Sequence, residues 1–235
     1  MKNQLFAALE VYHDVSFRSA AMNMAIDEAL LESAQVPSIR FYQWASPALS
    51  FGYFGKFADV AVYAGERALV RRWTGGGIVL HGEDLTYSLI IPASERAFAE
   101  PSMSIYQKVH GALRDALSGN GESAELVTLG GDAALRRPQT SQRDVSTKAC
   151  FAHPVRADVM LNGRKIAGAA QRRTRAGLLH QGSIQDVDLA NGLAEEFAQA
   201  LSARCERREI ESQSLERADE IAAQKYATSA WLQKR

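Results

Sequence analysis

The chain has 235 residues, 46% of them hydrophobic, and balances 27 basic against 27 acidic side chains to a formal net charge of zero. That suits one large globular domain or two small ones, with ample core, and in the absence of an interdomain linker the chain is read as a single domain over 1–235. Neutrality argues against a general nucleic-acid or membrane-surface binder, two cysteines make no disulfide scaffold, and no apolar run approaches the ~20 residues of a bilayer span.

The opening "MKNQLFAALEVYHDVSF" lacks a sustained apolar stretch and a small-residue cleavage site, so a cytoplasmic protein is expected. Next, "FRSAAMNMAIDEALLESA" spaces Met22, Ala25, Ile26, Ala29 and Leu30 at helical intervals, with Asp27 and Glu28 on the other side. After Pro37, "SIRFYQW" and "ALSFGYF" predict two short strands split by Ser46-Pro47. "VAVYAGER" predicts a helix and "ALVRRW" a strand that runs into three glycines. Past them, "IVLH" and "LTYSLIIP" predict a hairpin or adjacent strands.

"SIYQKVHGALRDALSGNG" predicts an amphipathic helix with Ile105, Val109, Leu113 and Leu117 on one stripe, and "ELVTL" a strand. Residues 130–149 are polar and nonperiodic, a length of loop that marks either function or disorder. Asn162-Gly163 in "ADVMLNGRKIAGAAQRR" predicts a tight hairpin, because a type I′ turn needs positive φ at both central residues. "AGLLHQGSI" predicts a further strand, and two helical stretches close the chain, the first ending near Cys205, a packing or surface residue. Strands broken by helices without strict alternation predict α+β, with a mixed or antiparallel central sheet flanked by helices.

Three stretches could carry chemistry. Gly75, Gly76 and Gly77 lie between Arg71-Arg72 and His81 and leave backbone N–H groups open; they form either a bulged turn or a ligand loop. Neither a phosphate-loop nor a dinucleotide spacing is present. Lys165 follows a tight turn beside Ile166, Ala167 and Gly168, so its ammonium is aimed into a pocket or solvated at an edge. Cys150, between Lys148 and His153, is a buried structural thiol or a nucleophile whose thiolate a nearby cation would favour.

Together, "RRWTGGGIVLHGEDLTYSLIIP", "NGRKIAGAAQRR" and "LLHQGSI" resemble the motifs of the lipoate-protein ligase and octanoyltransferase family, and "AAMNMAIDEALLE" and "FYQWASPALSFGYF" resemble its amino-terminal helix and first strands. The resemblance implies the catalytic-domain fold shared with biotin ligases, a class II synthetase-like mixed sheet flanked by helices, with a tunnel for a medium-chain acyl group. It implies that Arg72, Gly75, Gly76, Gly77, His81, Gly168, His180 and Gly182 line the acyl pocket and that Lys165 holds the acyl carbonyl. "ACFAHP" resembles the cysteine element of the transferring branch, which makes Cys150 the residue that takes the acyl group as a thioester. The implied reaction moves octanoyl from acyl carrier protein to the lysine of a lipoyl carrier, the glycine-cleavage H protein or a 2-oxoacid dehydrogenase E2. No metal and no cofactor is implied; ATP would enter only in a ligase. Amidotransfer between carriers, ATP-dependent lipoate ligation and noncatalytic acyl-carrier binding are the alternatives. Two departures stand out: Gly82 follows His81 where the family often has Asp, and Gln181 stands where a His usually precedes Gly-Ser or Gly-Thr, with His180 one place earlier.

Overall fold

The computed structural model describes residues 4–128, 154–187 and 192–234. In chain order the elements are β1 (Leu9–Arg18), α1 (Ala20–Ser33), β2 (Ser38–Trp44), β3 (Ala48–Phe51), β4 (Ala68–Arg71), β5 (Ile78–His81), β6 (Leu85–Pro92) and α2 (Ser102–Gly119). There follow β7 (Ala124–Leu126), β8 (Val159–Leu161), β9 (Arg164–Arg173), β10 (Gly177–Ile184), α3 (Leu193–Leu201), β11 (Cys205–Arg208), α4 (Ser212–Ile221) and α5 (Ser229–Leu232). Among the described residues, eight strands form one sheet in the order β11-β1-β2-β6-β10-β9-β8-β7, and β4-β3-β5 form a second. β1 lies parallel to both its neighbours, and the pairs from β2 to β7 are antiparallel. The class is therefore mixed α+β, as expected.

Both faces of the large sheet are covered. Phe41, Tyr87, Leu89 and Ile91 pack with Ile105, Val109 and Leu113 of α2 and Phe197 of α3. On the other face Tyr42, Ile90 and Leu179 pack with Met24, Ile26 and Leu30 of α1 and Ile221 of α4. Since successive strand residues point to opposite faces, covering both buries all but one position of β2 and all of β10.

Double coverage also corrects the reading of α1. Asp27 is fully buried because it points onto the large sheet, and Glu28 nearly so because the turn after α4 covers it. Asp27 accepts from Arg40 Nη1 at 2.9 Å and from the Tyr42 hydroxyl at 3.1 Å, while Glu28 accepts from Lys225 Nζ and the Tyr226 hydroxyl, both at 2.6 Å.

Three more expectations change. "VAVYAGER" forms only a single 3₁₀ turn, Ala61–Tyr63, held by the buried Val60 and followed directly by Gly65. β5 and β6 are not a hairpin: β5 pairs with β3 in the small sheet and β6 with β2 and β10 in the large one. Asp84 bends the chain between them by accepting from Gly82 N at 3.1 Å and bonding His81 at 2.8 Å. Cys205 starts β11 and is exposed rather than ending a helix. The Asn162-Gly163 turn forms as expected, with φ of +50° and +75° between the antiparallel β8 and β9.

Candidate active site

β3 and β5 of the small sheet face β6, β10 and β9 of the large one across a cavity of about 280 Å³, near the lower end of the ~300–1,000 Å³ typical of small-molecule sites. Met24, Tyr42, Trp44, Val79 and Ala170 supply an apolar lining, and Ser50, Arg72, His81, Thr86, Gln181 and Ser183 a polar one.

The three glycines have a structural cause outside their own stretch. A Cβ on Gly52, in the β3 segment, would lie 2.0 Å from Gly76 O and 2.7 Å from Gly75 C, so the glycine loop crosses directly over that backbone. Of the three, Gly76 alone has positive φ, +83°, which a side chain rarely adopts. Gly76 and Gly77 line the cavity; Gly75 does not. Arg72 holds the loop from inside, with Nη2 donating to Gly75 O at 3.0 Å and Gly77 O at 2.8 Å, and Nη1 to Ser50 Oγ at 2.6 Å.

Asp84 sets the tautomer of His81. Asp84 Oδ2, 2.8 Å from Nδ1, accepts the imidazole proton's hydrogen bond there. Nε2 then accepts the hydrogen of Ser50 Oγ, 2.6 Å away, while Ser50 Oγ accepts from Arg72. Burial lowers the His81 pKa and outweighs the attraction of Asp84, which agrees with a neutral ring. Trp44 stacks on it with centroids 4.0 Å apart, and Thr86 and Ser183 donate to the same Asp84 oxygen at 2.7 and 2.8 Å. The carboxylate expected directly after the histidine is thus supplied by Asp84, beyond the turn at Gly82.

Lys165 lines the opposite side. Its Nζ lies 2.8 Å from Asp158 Oδ2, with the two side chains 10% and 0% exposed. The stem passes over Gly168, where a Cβ would lie 2.6 Å from Lys165 Cε. Asp158 also accepts from the Tyr106 hydroxyl at 2.5 Å and from Val155 N at 2.7 Å, and the Tyr106 oxygen accepts from Ala169 N at 3.0 Å. Burial, and then the charge of Asp158, push the Tyr106 phenol far above its ordinary range, so it stays a donor.

Gly168 and Gly182 line the cavity, the second with the Tyr87 ring where its side chain would be. His180 does not. Gln181 and Ser183 face the cavity, and the alternation of β10 turns His180 to the α2 side, where it meets the Tyr87 hydroxyl at 3.2 Å and Gln171 at 2.9 Å. Burial, with His110 beside it, holds its pKa well below the usual range. Cys150, Lys148, His153 and the 130–149 loop lie outside the described residues. Ser50, Gly52, Asp84, Tyr106 and Asp158 were not singled out in the sequence. Asp158 could have been found by folding "DVMLNGRK" about its Asn-Gly turn, which returns Lys165 alongside the start of β8.

The motif order, the doubly covered mixed sheet and this cavity point one way, and the family model described as the lipoyl protein ligase A/B catalytic domain matches residues 19–224. The chain belongs to the lipoyl protein ligase A/B family. Among the family's curated members, Octanoyltransferase LipM of Macrococcus caseolyticus is 37% identical over 176 residues, covering 71% of this chain and 62% of the relative. Octanoyltransferase LipM of Kyrpidia tusciae is 31% identical over an alignment of 269 residues, covering 91% of this chain and 94% of the relative. The chain spans 62% of the length of the Macrococcus relative and 64% of that of a Brevibacillus brevis one. The fold matches that of a lipoate-protein ligase A bound with ATP, at a TM-score of 0.72 and 22% identity over 97% of this chain and 98% of that one. It also matches the bipartite lipoate protein ligase of Thermoplasma acidophilum, at 0.69 and 20% over 97% and 96%. At those identities the likeness is one of fold, and the biotin/lipoate ligase architecture expected from the motifs is the one observed. No helix among the described residues is long and apolar enough to cross a membrane.

Proposed function

We propose that the protein is an octanoyltransferase of protein lipoylation, which takes octanoyl from a thioester donor, octanoyl-acyl carrier protein, and delivers it to the lysine of a lipoyl carrier domain without ATP. The observation that carries this reading is a mostly apolar cavity with a buried lysine on its wall, in a chain 31–37% identical to relatives named octanoyltransferase. Cys150 is the acyl acceptor. In sequence it precedes the cavity-lining Val155 by five residues.

In the first step the Cys150 thiolate attacks the donor carbonyl, the new C–S bond forms, and the donor thiolate leaves and takes up a proton. In the second, the neutral amine of the carrier lysine attacks the Cys150 thioester. A C–N bond forms, the Cys150 C–S bond breaks, and the amine's proton goes to the departing thiolate. Thioester exchange is near balanced and amide formation runs downhill, so no other energy source is needed. Lys165 places a positive charge where each tetrahedral oxyanion develops. The tail is selected by burial: at roughly 0.8 kcal/mol per methylene, a seven-carbon tail gains about 5 to 6 kcal/mol over none.

A donor panel with a lipoyl domain as acceptor tests this. Octanoyl-acyl carrier protein alone should yield octanoyl-lysine. Product only from octanoyl-H protein would make the enzyme an amidotransferase, product only from free acid with ATP would make it a ligase, and carrier binding without product would make it noncatalytic.

A further inference from the structure

The Lys165 stem is long and flexible, yet the protein holds it in one place, and the means is a carboxylate that the sequence motifs leave out. Three elements converge on Asp158. Lys165 comes from β9, the Tyr106 hydroxyl from α2, and Val155 N from the segment before β8, at 2.8, 2.5 and 2.7 Å. The Tyr106 oxygen accepts the Ala169 N–H, so the hydrogen of that hydroxyl goes to Asp158. The fully buried Asp158 carboxylate is thus held by two fixed donors, the Tyr106 hydroxyl and Val155 N, on either side of its contact with Lys165. Gly168 completes the arrangement by leaving the space through which the lysine stem passes.

We propose that Asp158 is a positioning residue, which with the Tyr106 hydroxyl holds Lys165 as an ammonium across Gly168, facing the cavity where the acyl carbonyl reacts. The role in turnover rests on the acyl-transfer reading above; the state of Lys165 does not. Without Asp158, the Lys165 amine loses the partner that holds it at 2.8 Å and becomes open to acylation.

The test reads both. Wild type, Asp158→Asn, Asp158→Glu and Tyr106→Phe are treated with trace acetic anhydride, and Lys165 acetylation is measured by peptide mass spectrometry against the exposed Lys56. The same proteins are assayed for octanoyl transfer. Asp158→Asn should raise Lys165 labelling about tenfold and lower kcat about 100-fold with the donor KM within threefold, the effect expected of a misplaced catalytic group. Asp158→Glu should restore part of both. Tyr106→Phe, which keeps the carboxylate, should shift both in the same direction by roughly three- to fivefold and covers the case in which Asp158→Asn does not fold. Wild-type labelling and kcat in folded Asp158→Asn, or in Tyr106→Phe if the former does not fold, overturn the proposal. So does a loss of activity with labelling unchanged, which would make Asp158 a packing residue. If wild type transfers octanoyl to no carrier, the functional reading fails, and the labelling ratio still decides whether Asp158 holds the ammonium.

Discussion

The two sides of the cavity are built from similar residues to opposite ends. On the small-sheet side, Arg72, Ser50, His81 and Asp84 form a hydrogen-bonded chain that runs along the wall, with a neutral histidine and a terminal carboxylate that also accepts from Thr86 and Ser183. On the β9 side, the Asp158 carboxylate accepts from Tyr106 and pairs with Lys165, whose amine lines the cavity. The first arrangement uses polar groups as wall material, since a satisfied polar group can stand beside a hydrocarbon tail without penalty. The second keeps a charge at hand for chemistry. A histidine between a serine and an aspartate is thus not by itself evidence of nucleophilic catalysis when an arginine also donates to the serine.

The contrast can be broken in order of expected effect. Gly52→Ala should do the most damage, because its Cβ would sit 2.0 Å from Gly76 O. A loss above about 4 kcal/mol by urea denaturation, or no folded protein, is expected, whereas Gly75→Ala, with nothing within 4 Å, should stay within about 0.5 kcal/mol of wild type. Lys165→Ala should lower octanoyl transfer by about 10²–10³-fold, as removal of an oxyanion partner does, and lower Tm as well, because it leaves the buried Asp158 without its counter-charge.

Acid should weaken the ground behind Asp158. His110 donates from Nδ1 to Ala157 O at 2.6 Å, its buried Nε2 has no hydrogen-bond partner among the described residues, and burial lowers its pKa to about 4. Between pH 6.5 and 4 the unfolded chain binds a proton there that the folded protein refuses. Stability therefore falls as pH drops through that window and is unaffected by this group above it. The loss from His110 should reach about 3 kcal/mol across the window, since a whole proton's difference between the two states costs about 1.4 kcal/mol for each step of one in pH. Urea titrations of His110→Gln over the same pH range should show a correspondingly shallower slope. Ser50→Ala should have the smallest effect. It strips a hydrogen bond from both Arg72 and His81, for about 2 kcal/mol of stability, while kcat changes less than tenfold.

How much of this the sequence discloses depends on whether the cause is local. The Asn162-Gly163 hairpin and the α2 stripe are read directly because their φ values and 3.6-residue period are local requirements. The exposure of Asp27 and Glu28 is misread because Asp27 meets Arg40 and Tyr42 on the sheet, while Glu28 is covered by Lys225 and Tyr226, almost two hundred residues away. β5 and β6 look like a hairpin because only the side chain of Asp84, not any period, says that the chain changes sheets. The motifs place Lys165, Arg72 and His81 at the cavity. They also assign His180 to it, yet strand alternation sends that ring to the opposite face of β10. Gly52 is hidden for a related reason: the three glycines advertise a close approach, and its partner lies in another motif.

The central claim is a thioester on Cys150, and intact mass spectrometry after incubation with octanoyl-acyl carrier protein measures it directly. An octanoyl adduct in wild type that is absent from Cys150→Ala is predicted. An unmodified wild-type mass, or an adduct that persists in Cys150→Ala, would contradict the account.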